Sequence, residues 1–169
     1  MAIEIRKNKL AEISEQPMLV KSKLYLDTSV FSAYVDARTP ERQELTRQFW
    51  IERLPAFETA ISTLVLAEIA DTPQQDQRQE MENLVSGFSI LDYTQVVEEL
   101  AQIYVTRGVF SEKYVTDALH VAFASVHHIP YLTSWNFRHM VKVRTRREVS
   151  LINTLYGYEP IEIVAPPEL

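Results

Sequence analysis

Short apolar runs of strand length alternate with segments of helical pattern along the chain, and this alternation most constrains what it can become. Lys23–Asp27 (KLYLD), Phe57–Ile61, Phe88–Leu91 and Pro130–Thr133 read as strands, with Ile161–Val164 as a last edge strand. Helical stretches lie between them. Pro40–Arg53 carries Leu45, Phe49 and Trp50 on one face. Ser62 N-caps an apolar helix through Ala70. A polar helix, Gln74–Val85, is stopped by Gly87, and a Thr94-capped helix reaches about Arg107 before Gly108. A long apolar helix, opened by Ser111 or Thr116, runs to about His128, and Arg144–Tyr156 is the last. This order predicts an α/β fold in three layers: a central, mainly parallel sheet of four to five strands flanked by helices. The length of 169 residues suits one domain over residues 22–169. The polar stretch 1–21, which contains Met18 as an alternative start, reads as an arm or leader.

Composition removes several function classes. The chain has three glycines, Gly87, Gly108 and Gly157, too far apart for a dinucleotide fingerprint, a P-loop or a nucleophile elbow. Phosphate chemistry therefore has to be handled without a glycine-rich loop. The absence of cysteine excludes disulfides, thiolate catalysis and zinc–thiolate sites. Seventeen Lys and Arg against 23 Asp and Glu give a net charge of −6, so the overall field does not attract nucleic acid. The first residues are too charged for a signal peptide, and the apolar run near Ala118–Val126 is far short of a membrane span. The expectation is a soluble, cytoplasmic protein with no membrane partner.

Three carboxylates stand where carboxylates are expensive. Asp27 closes Leu24-Tyr25-Leu26, Glu68 lies within Leu64–Ala70, and Asp117 precedes Ala118–Ala124. Burying an ionised carboxylate costs several kcal/mol unless it is paired or ligates a metal. Each has an ordinary explanation: Asp27 as an N-cap for the segment at Thr28-Ser29, Glu68 on a helix edge, Asp117 complementing a helix dipole. Together they suggest more. In a parallel α/β sheet, ligands bind beyond the carboxyl ends of the strands, where Asp27 lies and where helix N-termini following other strands also face. Glu68, about two turns into its helix, has to reach back. If the three converge within ~4–5 Å, each like-charge pair costs roughly 3–4 kcal/mol at an effective dielectric near 20. Protonation of one acid or binding of a divalent cation relieves this. Oxygen donors without cysteine favour Mg²⁺ or Mn²⁺, which supplies a nucleophilic water and screens phosphate charge. The run Tyr131–Ser134 leads into Trp135-Asn136-Phe137 at the same edge, offering the Asn136 carbonyl and the Ser134 hydroxyl, residue types that also build turns and caps.

At this point the sequence resembles the PIN-domain nucleases, especially the VapC-type toxin ribonucleases of bacterial toxin–antitoxin pairs. The matching pieces are Leu24-Tyr25-Leu26-Asp27-Thr28-Ser29-Val30, Ser62–Ile69, Thr116–Ala122 and Leu132–Phe137, in order, within a stretch of about residues 23–164. The resemblance implies a compact α/β fold, an acidic Mg²⁺ or Mn²⁺ site, an RNA substrate, a small antitoxin protein as partner and a homodimer. Carried over by position, Asp27, Glu68 and Asp117 are the metal-holding catalytic acids. Asn136 stands where many members have a fourth acid, which lowers the charge of the site. Thr28 or Ser29, and Ser134, match supporting hydroxyls.

The remaining polar and aromatic residues have two readings each. Arg138, Lys142, Arg144, Arg146 and Arg147 account for five of the 17 basic residues, with His139 among them. They either bind an RNA backbone, for which Arg138, Lys142, Arg144 and Arg146 are the candidates, or form a solvated helix face paired with Glu148. Trp135 and Phe137 either stack bases or pack the turn. His120, one turn after Asp117, is a proton carrier or a hydrogen-bonded core histidine, and His127 and His128 end a helix. Two other functions compete with a ribonuclease. One is a PIN-like module that binds RNA or protein without cutting. The other is a haloacid-dehalogenase-like phosphatase, which needs a second Asp where this chain has Ser29.

Overall fold

The computed structural model describes residues 20–169; the expected arm lies, up to residue 19, outside the described residues. Five strands form one sheet, β1 Lys23–Leu26, β2 Glu58–Ser62, β3 Ser89–Leu91, β4 Tyr131–Thr133 and β5 Glu162–Val164. Every neighbouring pair is parallel and the order is β3-β2-β1-β4-β5, so the last strand is indeed an edge. Seven α-helices flank it: α1 Thr28–Val35, α2 Pro40–Glu52, α3 Thr63–Ala70, α4 Gln75–Leu84, α5 Gln95–Thr106, α6 Val115–Val126 and α7 Val143–Leu155. This is the three-layer α/β architecture that the alternation predicts. None of these helices is long and apolar enough to cross a membrane.

β1 is the centre of the sheet because it is apolar on both faces. Leu24, Tyr25 and Leu26 are all fully buried, as a parallel strand covered on both sides requires. From β1 the chain builds β2 and β3 on one side, then crosses to build β4 and β5 on the other. The order reverses between β1 and β4, and the crevice at their carboxyl ends is where such sheets bind ligands. The Asp27 N–H donates to Thr133 O at 3.2 Å, so the two strands stay paired to the edge of that crevice.

Caps set the helices that enter it. Asp27 N-caps α1 by accepting from the Ser29 N–H. The Ser62 hydroxyl accepts from Val65 N at the start of α3, and Thr94 does the same for Val97 N in α5. Gly87 and Gly108, just beyond helix ends, have φ of +91° and +78°, a conformation that favours glycine. Three details differ from the sequence reading. Helix α1 is an element of its own, not only a capped segment. Ser111 opens a 3₁₀ turn, Glu112–Tyr114, and α6 begins after it at Val115, so neither Ser111 nor Thr116 caps α6. On α2 the buried positions are Thr46 and Phe49, while Leu45 faces outward; a buried polar threonine replaces the expected leucine because its hydroxyl donates to Arg42 O within the helix.

Candidate active site

Asp27 stands at the end of β1, and both of its carboxylate oxygens are engaged. Oδ1 accepts from the Ser29 N–H, and Oδ2 accepts from the Ser134 hydroxyl at 2.6 Å across the β1–β4 crevice. The side chain is 4% exposed, so its cap role and its place at the crevice are the same fact. Ser134 also accepts from the Asn136 N–H at 2.9 Å. The Ser29 hydroxyl accepts from Trp135 N at 2.8 Å, which fastens α1 to the turn after β4.

That turn carries Asn136. Its side-chain amide donates to Asp117 Oδ1 at 3.0 Å, and its carbonyl accepts from the His139 N–H at 3.0 Å. Asp117 lies in the first turn of α6. Burial pushes its carboxyl up to about 6, and the charges of Asp27 and Glu68 push the same way. The nearby His120 and the Asn136 hydrogen bond pull it down without cancelling the rise.

Glu68 does reach back. Its Oε2 accepts from the Thr28 hydroxyl, next to Asp27 in sequence, and pairs with His120 Nε2 at 3.0 Å. Burial pushes the Glu68 carboxyl up, but the His120 hydrogen bond, the His120 charge and Thr28 outweigh it and leave it below the ordinary range. His120 is pulled down by burial and lifted further by Glu68, Asp27 and Asp117, for a net rise. The two shifts agree, since each partner favours the charged form of the other.

Asp27, Glu68 and Asp117 are thus linked around one sheet edge through Thr28, Ser134, Asn136 and His120. They are not closed on one another: among the described residues no three His, Asp or Glu side chains form a ready metal cluster. The reason is visible in the hydrogen bonds, since each acid is drawn toward a donor of its own. The donor chemistry nonetheless fits a hard divalent cation. Glu68 and Asp117 each keep one oxygen without a hydrogen-bond partner among the described residues, and the Asp117 carboxyl is raised by burial first and then by the charges of Asp27 and Glu68.

A family model for the PIN domain matches residues 24–138. The chain belongs to the PIN domain family. The match holds all three acids and Asn136 and stops short of the expected residue 164. Solved structures similar to this PIN domain include VapBC2 from Rickettsia felis bound to a DNA fragment from its promoter, at 15% identity and a TM-score of 0.50, covering 85% of this chain and 98% of that one. A toxin–antitoxin complex from Klebsiella pneumoniae matches at 19% identity and a TM-score of 0.53, with 72% and 93% covered. VapC20 from Mycobacterium tuberculosis, described as a sarcin–ricin loop cleaving toxin, matches at 18% identity and a TM-score of 0.54, with 69% and 92% covered. At these identities the likeness is one of fold. No curated protein matches the sequence.

Around the PIN site the basic residues divide. Arg144 pairs with Glu148 at 2.7 Å, and Arg146 holds Glu168 at 2.9 Å and Val141 O at 2.7 Å. Arg138 and Lys142 have no acidic partner within reach among the described residues, and with Lys113 their charges help burial to lower the His139 imidazole. Trp135 packs the turn, its Nε1 donating to Thr46 at 2.9 Å, while Phe137 is 56% exposed. His127 is the C-cap residue of α6, and His128 follows it. Sequence reasoning missed Tyr25, whose hydroxyl lies 2.8 Å from His120 Nδ1 and 2.7 Å from Ser62 Oγ. Its signal was a phenol at the middle of a buried strand, where the hydroxyl must find a partner.

Proposed function

We propose that this chain is a divalent-cation-dependent endoribonuclease. The supporting observation is the linkage of Asp27, Glu68 and Asp117 through Thr28, His120, Ser134 and Asn136 at one edge of a PIN-family sheet. Asp27, Glu68 and Asp117 would hold Mg²⁺ or Mn²⁺, which when bound screens the phosphodiester charge and makes water a competent nucleophile. The chain's own residues prepare for this. Ser134 and the Ser29 N–H keep Asp27 at the crevice, and Asn136 orients Asp117 while adding no fourth negative charge. Without a cation, Asp117 keeps its proton up to about pH 6, which removes one charge from a crowded site. Arg138 and Lys142 would hold the RNA backbone on the approach to Asn136.

The direct test is cleavage of mixed RNAs with Mn²⁺ by the purified protein and by Asp27→Asn, Glu68→Gln and Asp117→Asn. Each variant is expected to lose at least about 100-fold in rate. RNA left equally intact by wild type and variants overturns the reading and leaves a binding module.

We further propose that the chain is the toxin of a toxin–antitoxin pair, forms a homodimer and acts in the cytoplasm. The fold likeness to structures described as a toxin–antitoxin complex and as a cleaving toxin supports the toxin role. Growth arrest on expression, relieved by a small protein encoded beside it and absent for Asp27→Asn, is the expected result.

A further inference from the structure

Glu68 is the acid with the most freedom to be in the wrong place. It sits in the second turn of α3 on a long side chain that is 32% accessible, whereas Asp27 is held by its own cap. What holds it is a line of buried hydrogen bonds. Ser62 Oγ accepts from Val65 N and lies 2.7 Å from the Tyr25 hydroxyl. That hydroxyl lies 2.8 Å from His120 Nδ1, and His120 Nε2 lies 3.0 Å from Glu68 Oε2. Tyr25 and Ser62 are fully buried and His120 is 3% exposed, so the line cannot swing. An ionised carboxylate only accepts, so with Glu68 ionised Nε2 carries the hydrogen whichever form the ring takes. Thr28 donates to the same oxygen, leaving Oε1 without a partner among the described residues.

We propose that His120, steadied by Tyr25, is a positioning residue that pins Glu68 Oε2 and so presents Oε1 to a divalent cation. The inference rests on the proposed metal-dependent reading of the same site. A histidine retained only to fill the core would be served by the Tyr25 hydroxyl alone. Here the ring spans from the centre of β1 to a carboxylate on another helix, and its second nitrogen ends on the half-buried Glu68. Outer-shell donors of this kind usually change metal affinity by about tenfold to a hundredfold when removed.

The test is titration of the full-length protein with Mn²⁺, without RNA, following free ion by electron paramagnetic resonance. His120→Leu removes the donor and keeps the volume; it is expected to weaken Mn²⁺ binding by about tenfold or more. His120→Gln keeps an N–H near the Nε2 position and is expected to stay within about threefold of wild type, a rescue that a space-filling role does not predict. Tyr25→Phe removes one hydroxyl from a filled core and serves if His120→Leu does not fold; binding is expected to weaken several-fold. Mn²⁺ binding by His120→Leu or Tyr25→Phe equal to or tighter than wild type overturns the proposal, as does a Gln variant as impaired as the Leu one. Wild-type protein that binds no Mn²⁺ overturns the metal-dependent reading itself, an outcome distinct from unequal binding among variants.

Discussion

Asp117 holds its proton because the fold makes its charge costly. Burial lifts the carboxyl from 3.8 to about 6, and Asp27 and Glu68 add to the rise. The folded form therefore binds more protons than the unfolded chain between these values. The contribution of Asp117 to the stability of the cation-free protein is expected to fall as pH rises from about 4 to about 6 and then to level off. Asp117→Asn keeps an oxygen to accept from Asn136 and removes the charge. A rise from 3.8 to about 6 corresponds to about 3 kcal/mol, and partial exposure of the group reduces that to about 1–2 kcal/mol. In EDTA at pH 7.5 the variant should melt about 2–6 °C higher than wild type, with the pH slope flattened. An unchanged melting temperature and slope count against the repulsion inferred at the site. The three acids themselves were legible in the sequence, because charged residues inside apolar runs demand a reason. Their partners were not. Tyr25 meets His120 from 95 residues away and Ser62 from 37, and no local pattern records which buried hydroxyl will face which ring.

The helices show the same division. Ser62 and Thr94 were readable as N-caps because a hydroxyl before an apolar period has a local job, and both do it. α1 escaped the periodicity because half of its eight residues, Val30, Phe31, Ala33 and Val35, are buried and no charged face marks a period. The identity of its cap also has a consequence. Asp27 starts α1 through Oδ1 and faces the crevice through Oδ2, so two substitutions separate the roles. Asp27→Asn retains an acceptor for the Ser29 N–H and should unfold in urea within about 1 kcal/mol of wild type while losing RNA cleavage. Asp27→Ala loses the cap and leaves the Ser134 hydroxyl without its acceptor, and should cost about 1–2 kcal/mol more. Equal stability of the two variants would show that α1 does not depend on this cap.

Across the whole molecule, a net charge of −6 has to be reconciled with the RNA substrate proposed above. The global field repels RNA, so binding must come from cations close enough to the strand to escape it, within a Debye length of about 8–10 Å. The cluster after Asn136 was visible in the sequence, and so was a pair with Glu148, which Arg144 makes four residues away on the same helix; the Arg146–Glu168 pair was not, because its partners stand 22 residues apart. Arg146 is held by Glu168 and Val141 O and is poorly placed to release either. Arg144 is 75% exposed and its pair with Glu148 is a surface one, so exchanging that partner for phosphate costs little. Arg138 and Lys142 give up no ion pair among the described residues. RNA affinity of an Asp27→Asn background should therefore fall most for Arg138→Ala with Lys142→Ala, less for Arg144→Ala and least for Arg146→Ala. Removing one cation from a single-strand phosphate reduces the slope of log affinity against log salt by about 0.7, so the double variant should flatten it by about 1.4. Filter binding across a salt series reads both quantities. If Arg146→Ala flattens the slope as much as the double variant does, the strand follows α7 and the backbone path toward Asn136 is wrong.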